Sequence, residues 1–497
     1  METAMDTILY WNSAALDANK QTHTNTAPKE QLGPVLSARA LAIVHLAMHD
    51  ALSGITADAS LHNYLPLLPA VPTGMDNMQD AAQAAVSAAG HATLVALYPS
   101  QRDTFDHLQT ALSLPGSQRD LLAGYEYGLA VAQAVLKLRE KDPGTTDAGY
   151  CPPASHGGHR PDPQSPQQGF YAPFYGKRST CFASATRYEL DEPPSPTAST
   201  MQLQDQYIAA LRQVRAKGIA PELAGTVPLD AQPRTEEETV VGTYWGYDGS
   251  SGLGTPPRLY NQLIREVALA RNNTLAQNAR LFALVNVAMA DAGILAWEQK
   301  YRYNIWRPVL GIREHDESMG PAGKDIVTNG FSNDCDISWL PLGKPSSNAK
   351  GTVNGTPNFP AYPSGHATFG ASAFETVRQF YGDTADGSDD LFKNAGQHMS
   401  FVSDELNGVT TDNQGIVRPK HTRKFNNGLW QMILENGWSR IWLGVHWSFD
   451  AFALNAAGKP DLSKNMGGVP LGLNVARDIV TQAQQPGWSQ RGAAPAV

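Results

Sequence analysis

The sequence predicts a mostly α fold: two packed helical bundles with long Pro/Gly-rich loops and little strand. Three observations point there. Seven long segments carry apolar residues at helical spacing, short β-like runs are few, and Pro/Gly/Ser stretches separate the helices. The segment 36–54 places Leu41, Val44, Ala47, Met48 and Ala51 on one face, with Ser37 as a candidate cap. Residues 80–98 are Ala-rich and favour helix, and 117–141 reads as one long helix or a pair. Residues 256–271 open with prolines, which a first helical turn tolerates. The longest periodic run is 278–306, followed by 375–382 and 424–440. The largest interruptions are 142–169 and 191–200, which are expected to run over the surface between two helical halves. A boundary near residue 235 divides the chain into an N-terminal half, 1–235, and a C-terminal half, 236–497.

Length and composition exclude several classes. The chain has 497 residues, 42% hydrophobic and 17% charged, enough for a large core and unlike a disordered chain. A net charge of −9 argues against nucleic-acid binding. It also repels anions at long range, so a site for an anion must concentrate positive charge locally. Cys151, Cys181 and Cys335 are far apart, odd in number and without metal-like spacing, which argues against a disulfide framework. METAMDTILYW at the N-terminus has no basic segment ahead of an apolar run, so no secretory signal is expected, and the compartment stays open. No uninterrupted apolar run approaches the ~18 residues that would suggest a membrane helix. His45 and His49 are spaced for metal on one helix, but no third ligand is evident and a packed helix turn explains them.

Three clusters carry chemistry. In KYRYNIWRP, Lys300 and Arg307 lie about two helical turns apart and can share a face, with Arg307 at the helix end before Pro308. In PSGH, Ser364 offers a hydroxyl, Gly365 a close backbone approach, and His366 stands at the entrance of the next helix, where unpaired N–H groups attract anions. In SRIWLGVHWSFD, Arg440 precedes His446, and Asp450 lies four residues beyond the His, one turn away if a helix begins there. Each cluster alone has an ordinary explanation: a solvated basic face, a capped turn, a helical His–Asp pair. Together they supply two guanidinium forks, an ammonium, a hydroxyl, a backbone N–H and two imidazoles. Almost all are donors to oxygen, the inventory for a tetrahedral oxyanion such as phosphate or vanadate rather than a bare cation.

The order of these blocks resembles the superfamily shared by vanadium-dependent haloperoxidases and type 2 phosphatidic acid phosphatases. Outside the blocks, LSARALAIVHLAMHDA (36–51), YAPFYGK (171–177), YDGSSGLGTPPRLYNQ (247–262) and GGVPLG (467–472) resemble fungal vanadium chloroperoxidases far more than phosphatases. The resemblance implies a vanadate cofactor bonded by His446. Lys300, Arg307, Ser364, the Gly365 N–H and Arg440 would hold its oxygens. It implies His366 as the acid–base residue and Asp248 as the partner that fixes Arg440. Trp297 and Phe359 would wall the halide region, and a Phe at 359 accompanies chloroperoxidases. Asn358 and Gly355 depart from the fungal pattern, where Pro and Phe stand, and bear on halide preference more than on vanadate. Hydrogen peroxide, a halide and a small organic acceptor are the implied partners, and hypohalous acid the product. Two other readings remain open at this point. One is an acid phosphatase with His446 as a phospho-His nucleophile. The other is a non-catalytic oxyanion binder, for which His366 would have little use.

Overall fold

In a computed structural model, the described residues are 6–489 apart from 25, 59, 153, 327–329, 350–352 and 384–398. Helices dominate them. The first half holds α1 (Thr7–Thr22), α2 (Pro34–Thr56), α3 (Met78–Leu97), α4 (Arg102–Ala111), α5 (Gln118–Leu138), α6 (Tyr175–Arg178) and α7 (Met201–Lys217). Then come α8 (Glu236–Tyr244), α9 (Pro256–Ala270), α10 (Leu275–Tyr303), α11 (Pro308–Arg313), α12 (Gly365–Phe380), α13 (Gly428–Trp442), α14 (Ser448–Ala451) and α15 (Gly468–Gln482). Strand among these residues is limited to two short antiparallel pairs, 399–401 with 423–425 and 453–454 with 460–461. The mostly α fold class is correct.

Helix α10 is the axis. It packs on α2, α12, α15 and α6, and almost every side chain from Asn278 to Trp297 is buried. Its start is a capping box, in which Thr274 and Gln277 each bond the other's backbone N–H. It ends at Asn304, whose left-handed φ of 51° turns the chain away. Helices α2 and α10 are long and apolar enough to cross a membrane, but 89% and 94% of their most apolar windows are buried inside the fold.

Several sequence readings change. Helix α5 is single, capped by Ser117, whose Oγ accepts from Asp120 N–H. Ser37 is not a cap: α2 begins at Pro34, and Ser37 Oγ donates back to Gly33 O at 2.7 Å. The helix read over 375–382 begins ten residues earlier, at Gly365. Lys300 and Arg307 do not share a helical face, because α10 stops at Tyr303 and Arg307 is extended, leading into α11. Helices α1, α4, α7, α8 and α15 escaped the periodicity reading. In α1 the buried face includes Thr7, Asn12, Asn19 and Thr22, so polar residues occupy positions where a hydrophobic pattern is sought. The stretch 142–169 is not purely a surface loop. Gly157, Gly158 and His159 are buried, and His159 N–H and Trp306 N–H bond across to Asn304 O and Gly157 O. The His45 ring is held by Leu41 O and Asn12 at 2.7 and 2.9 Å, and His49 by Asp50 at 2.9 Å. The cysteines are unpaired.

Close packing of α3 on α5 depends on two glycines. A Cβ on Gly124 or Gly128 would lie 2.0 or 2.2 Å from the carbonyl oxygen of Ala81 or Ala85. Gly128→Ala should therefore lower the unfolding free energy by roughly 1–3 kcal/mol, measured by urea denaturation, since overpacking must separate two backbones. An unchanged midpoint would contradict this contact.

Candidate active site

The three clusters converge. Lys300 comes from the last turn of α10, and Arg307 from the extended segment between α10 and α11. Ser364 caps α12, and Gly365 and His366 form its first turn. Arg440 lies near the end of α13, and His446 in the turn before α14. Lys300, Arg307, Ser364, Arg440 and His446 are all at most 1% exposed, and His366 is 7% exposed.

His446 is oriented from behind. Its Nδ1 lies 2.7 Å from Asp450 Oδ2, which also accepts from Trp447 N–H. With the proton on Nδ1, Nε2 carries a lone pair that accepts from Arg307 at 2.9 Å. The expected one-turn relation of His446 and Asp450 is therefore a capping turn, with the His outside the four-residue helix. Burial pushes the Asp450 carboxyl up to about 7, making it a more basic acceptor.

The cations are held by oxygens. Lys300 donates to Pro360 O, Ala361 O and Pro363 O at 2.9, 3.1 and 2.5 Å. Arg307 donates to Phe359 O at 2.9 Å and Val445 O at 2.7 Å. Arg440 makes a two-pronged pair with Asp248 at 2.9 and 2.8 Å, and its buried Nε has no partner among the described residues. Burial alone would raise the Asp248 carboxyl, but the charge and hydrogen bonds of Arg440 overcome this and hold it low. Burial and the neighbouring Arg307 push the Lys300 ammonium well below its usual range. Arg307 is lowered to about 9, chiefly by burial. These shifts mark positive charge that lacks an anion.

His366 Nε2 is buried and has no hydrogen-bond partner among the described residues, lying 4.0 Å from Asp248 Oδ1. Burial, then Arg440, lowers the imidazole to about 3. The backbone of His366 is fixed by two groups that the sequence reading missed. Its carbonyl accepts from Asn436 Nδ2 at 2.7 Å and Tyr260 Oη at 3.2 Å. The signal for Asn436 was its place one helical turn before Arg440. Ser364 Oγ accepts only a long bond, 3.4 Å, from Ala367 N–H, so its proton is available to a ligand. A Cβ on Gly365 would come within 3.2 Å of Trp297, so the close approach needs glycine.

Trp297 and Phe359 are adjacent, with ring centroids 4.9 Å apart. Phe359 also covers the cations: Lys300 Nζ and the Arg307 guanidinium lie 5.0 and 4.9 Å from its ring centroid. A cavity of about 270 Å³ reaches Trp297, Phe359, Gly365, His366, Arg440 and His446. An oxyanion fits this donor set. Among the described residues Arg440 Nε and His366 Nε2 have no partner, Lys300 and Arg307 are hydrogen-bonded to carbonyls rather than to a carboxylate, and His446 Nε2 can bond a central atom once Arg307 turns to the anion's oxygens.

A neutral His366 has a pH consequence. Its folded value, about 3, lies below the ordinary 6.5, so between those values the unfolded chain binds more protons. The contribution is intact above pH 6.5 and is lost as pH falls toward 3. In anion-free buffer, the stability of wild type relative to His366→Gln should fall by roughly 1.4 kcal/mol per pH unit from 6.5 to 4.5. Parallel stability curves would contradict a neutral imidazole.

Comparison with known proteins identifies the family of the chain. Residues 2–180 match the vanadium chloroperoxidase N-terminal domain, and residues 280–460 match the second helical-bundle domain of the same family. The vanadium chloroperoxidase of Curvularia inaequalis is 31% identical, over 96% of this chain and 90% of that protein. Among solved structures, a bacterial vanadium-dependent iodoperoxidase superposes with a TM-score of 0.59 at 19% identity, covering 97% of both chains. The holo form of a bacterial vanadium-dependent chloroperoxidase gives 0.61 at 15% identity, covering 97% of this chain and 98% of that one. The two structural likenesses establish the fold; the domain matches and the fungal relative establish that the chain belongs to the vanadium chloroperoxidase family.

Proposed function

We propose that the chain oxidises bromide and chloride with hydrogen peroxide, at the site formed by Lys300, Arg307, Ser364, Gly365, His366, Arg440 and His446. Peroxide-dependent halide oxidation is the chemistry of the family, and vanadate is its cofactor. The halide choice and the residue roles are the proposal. The observation that carries them is the gathering of three buried cations around His446, with Arg307 on its Nε2 and Phe359 over Lys300 and Arg307. The balance is X⁻ + H₂O₂ + H⁺ → HOX + H₂O.

When bound, vanadate supplies a Lewis-acid centre that makes a peroxide oxygen electrophilic without changing its own oxidation state. His446 Nε2 is the lone pair that holds it, with Nδ1–H donated to Asp450. Arg307, Arg440, the Ser364 hydroxyl and the Gly365 N–H are donors to its oxygens. Asp248 keeps the Arg440 fork at its angle. His366 is neutral with a free Nε2, and an anion in the site would offset the cations that depress it, making that nitrogen a better acceptor for the proton that hydrogen peroxide loses. Lys300, whose ammonium an anion in the site would stabilise, polarises the O–O bond by its charge. To do so it must release one of its three carbonyls, so the 360–363 segment adjusts on loading. Trp297 and Phe359 keep water from the halide, and Phe359 supports chloride as well as bromide. The division of the chain near residue 235 belongs to the same proposal: the groups that would hold vanadate all come from the C-terminal side.

His446→Ala should abolish vanadate-dependent bromination and vanadate binding, the latter read by calorimetry. Full activity at limiting vanadate would contradict its role. Arg440→Ala should weaken vanadate affinity more than Lys300→Ala, because a buried fork makes more bonds. Equal affinities would contradict that ranking. The enzyme assignment is tested by stripping anions, adding orthovanadate and following bromination and chlorination of an organic trap. Phosphate-ester hydrolysis by the vanadate-free protein, with no bromination, would reverse it.

A further inference from the structure

The cavity has two kinds of lining: Tyr171, Trp297, Phe359 and Phe369 are aromatic, and Asp248, Arg440 and Lys344 are charged. The roles above use every charged group there except Lys344. Lys344 is half-buried, and among the described residues nothing accepts a hydrogen bond from its ammonium. Asp248, a carboxylate that feels its charge, already has both oxygens on Arg440.

The placement of Lys344 is fixed. Its backbone N–H bonds Gly355 O at 2.9 Å, and the preceding Gly343 N–H bonds Leu443 O at 2.8 Å. The next carbonyl, of Pro345, accepts from Ser250 Oγ at 2.6 Å, and Asn348 Nδ2 reaches Ser251 O at 2.8 Å. Ser347 Oγ is tied to the buried Glu405 at 2.5 Å. The loop of Lys344 is thus locked to the loop of Asp248 and to the chain that leads into His446. A rigid loop thus places Lys344, which has no hydrogen-bond acceptor among the described residues, in the lining of a cavity that also holds aromatic rings. A halide alone does not need this space. Its size is comparable to a water molecule, with a share of about 30 Å³.

We propose that the cavity binds an aromatic organic acceptor carrying a carboxylate, its ring against Trp297, Tyr171 and Phe359 and its carboxylate on Lys344, and that halogen is transferred to it while bound. This rests on the haloperoxidase reading. The transfer is HOX + Ar–H → Ar–X + H₂O. A ring electron pair forms the C–X bond, the X–O bond breaks, and the departing hydroxide combines with the ring proton. The halogen is reduced and the carbon oxidised, so no further reagent is needed.

The test uses vanadate-loaded protein with bromide and peroxide, and two acceptors with the same phenol ring, 4-hydroxybenzoate and 4-hydroxybenzamide. The wild type should show a KM about tenfold lower for the carboxylate, the worth of one charge-assisted contact. K344M should remove that difference, K344R should keep it, and the KM for the amide should stay within about twofold. Calorimetric binding of 4-hydroxybenzoate to loaded protein without peroxide should weaken by the same factor in K344M. A preference equal to that of reagent hypobromous acid, and unmoved in K344M, would overturn the proposal. A changed bromide KM with both acceptors alike would place Lys344 on the halide and also overturn it. If the wild type oxidised no bromide at all, the haloperoxidase reading would fall. Calorimetry would then still decide Lys344: weakened binding in K344M supports the acceptor site, and no binding refutes it.

Discussion

Buried positive charge without an equal share of negative charge is the constraint that organises this molecule. Lys300, Arg307 and Arg440 are withdrawn from water, and the carboxylates facing them are Asp248 and Asp450. Removing ions from water costs several kcal/mol each unless partners compensate. Here the compensation comes from carbonyls of 359–363 and 445, from one carboxylate fork, and from an imidazole kept neutral. What remains is a deficit of negative charge in a low-dielectric pocket. An oxyanion is the ligand that removes it, and each donor gains strength there because water is excluded.

The helices serve to hold that unfavourable arrangement in place. The left-handed turn at Asn304 ends α10 just after Lys300 and redirects the chain, so that Arg307 meets His446 from a different element. Asn436 and Tyr260 pin the carbonyl of His366 and so fix the first turn of α12. The 157–159 segment lies against Asn304 and Trp306, packing the redirected turn from outside. The donors are therefore preorganised by rigid neighbours, and the groups that must move on loading are the Arg307 guanidinium and the carbonyls around Lys300.

Much of this was legible in the sequence, but unevenly. Cluster chemistry survived translation into space because donor type does not depend on exact backbone geometry. PSGH read as a turn before a helix, and Ser364 does cap α12. The Lys300–Arg307 relation failed, because spacing alone assumed a continuous helix where Asn304 breaks it. Helix α1 was invisible because its buried face holds Thr and Asn. Tyr260 acts through a contact with His366, 106 residues away in the chain, and no local pattern announces it. The pairing of Arg440 with Asp248 spans 192 residues, and only resemblance to the family made it an expectation.

The central claim is that the charge deficit is a vanadate site centred on His446. The most direct measurement is an anomalous difference map from crystals loaded with orthovanadate, collected at the vanadium edge. The account predicts one strong peak bonded to His446 Nε2, with Arg307 turned away from that nitrogen and with Arg440, Ser364 and the Gly365 N–H around the oxygens. A peak elsewhere, or none at His446 in fully loaded crystals, would contradict it.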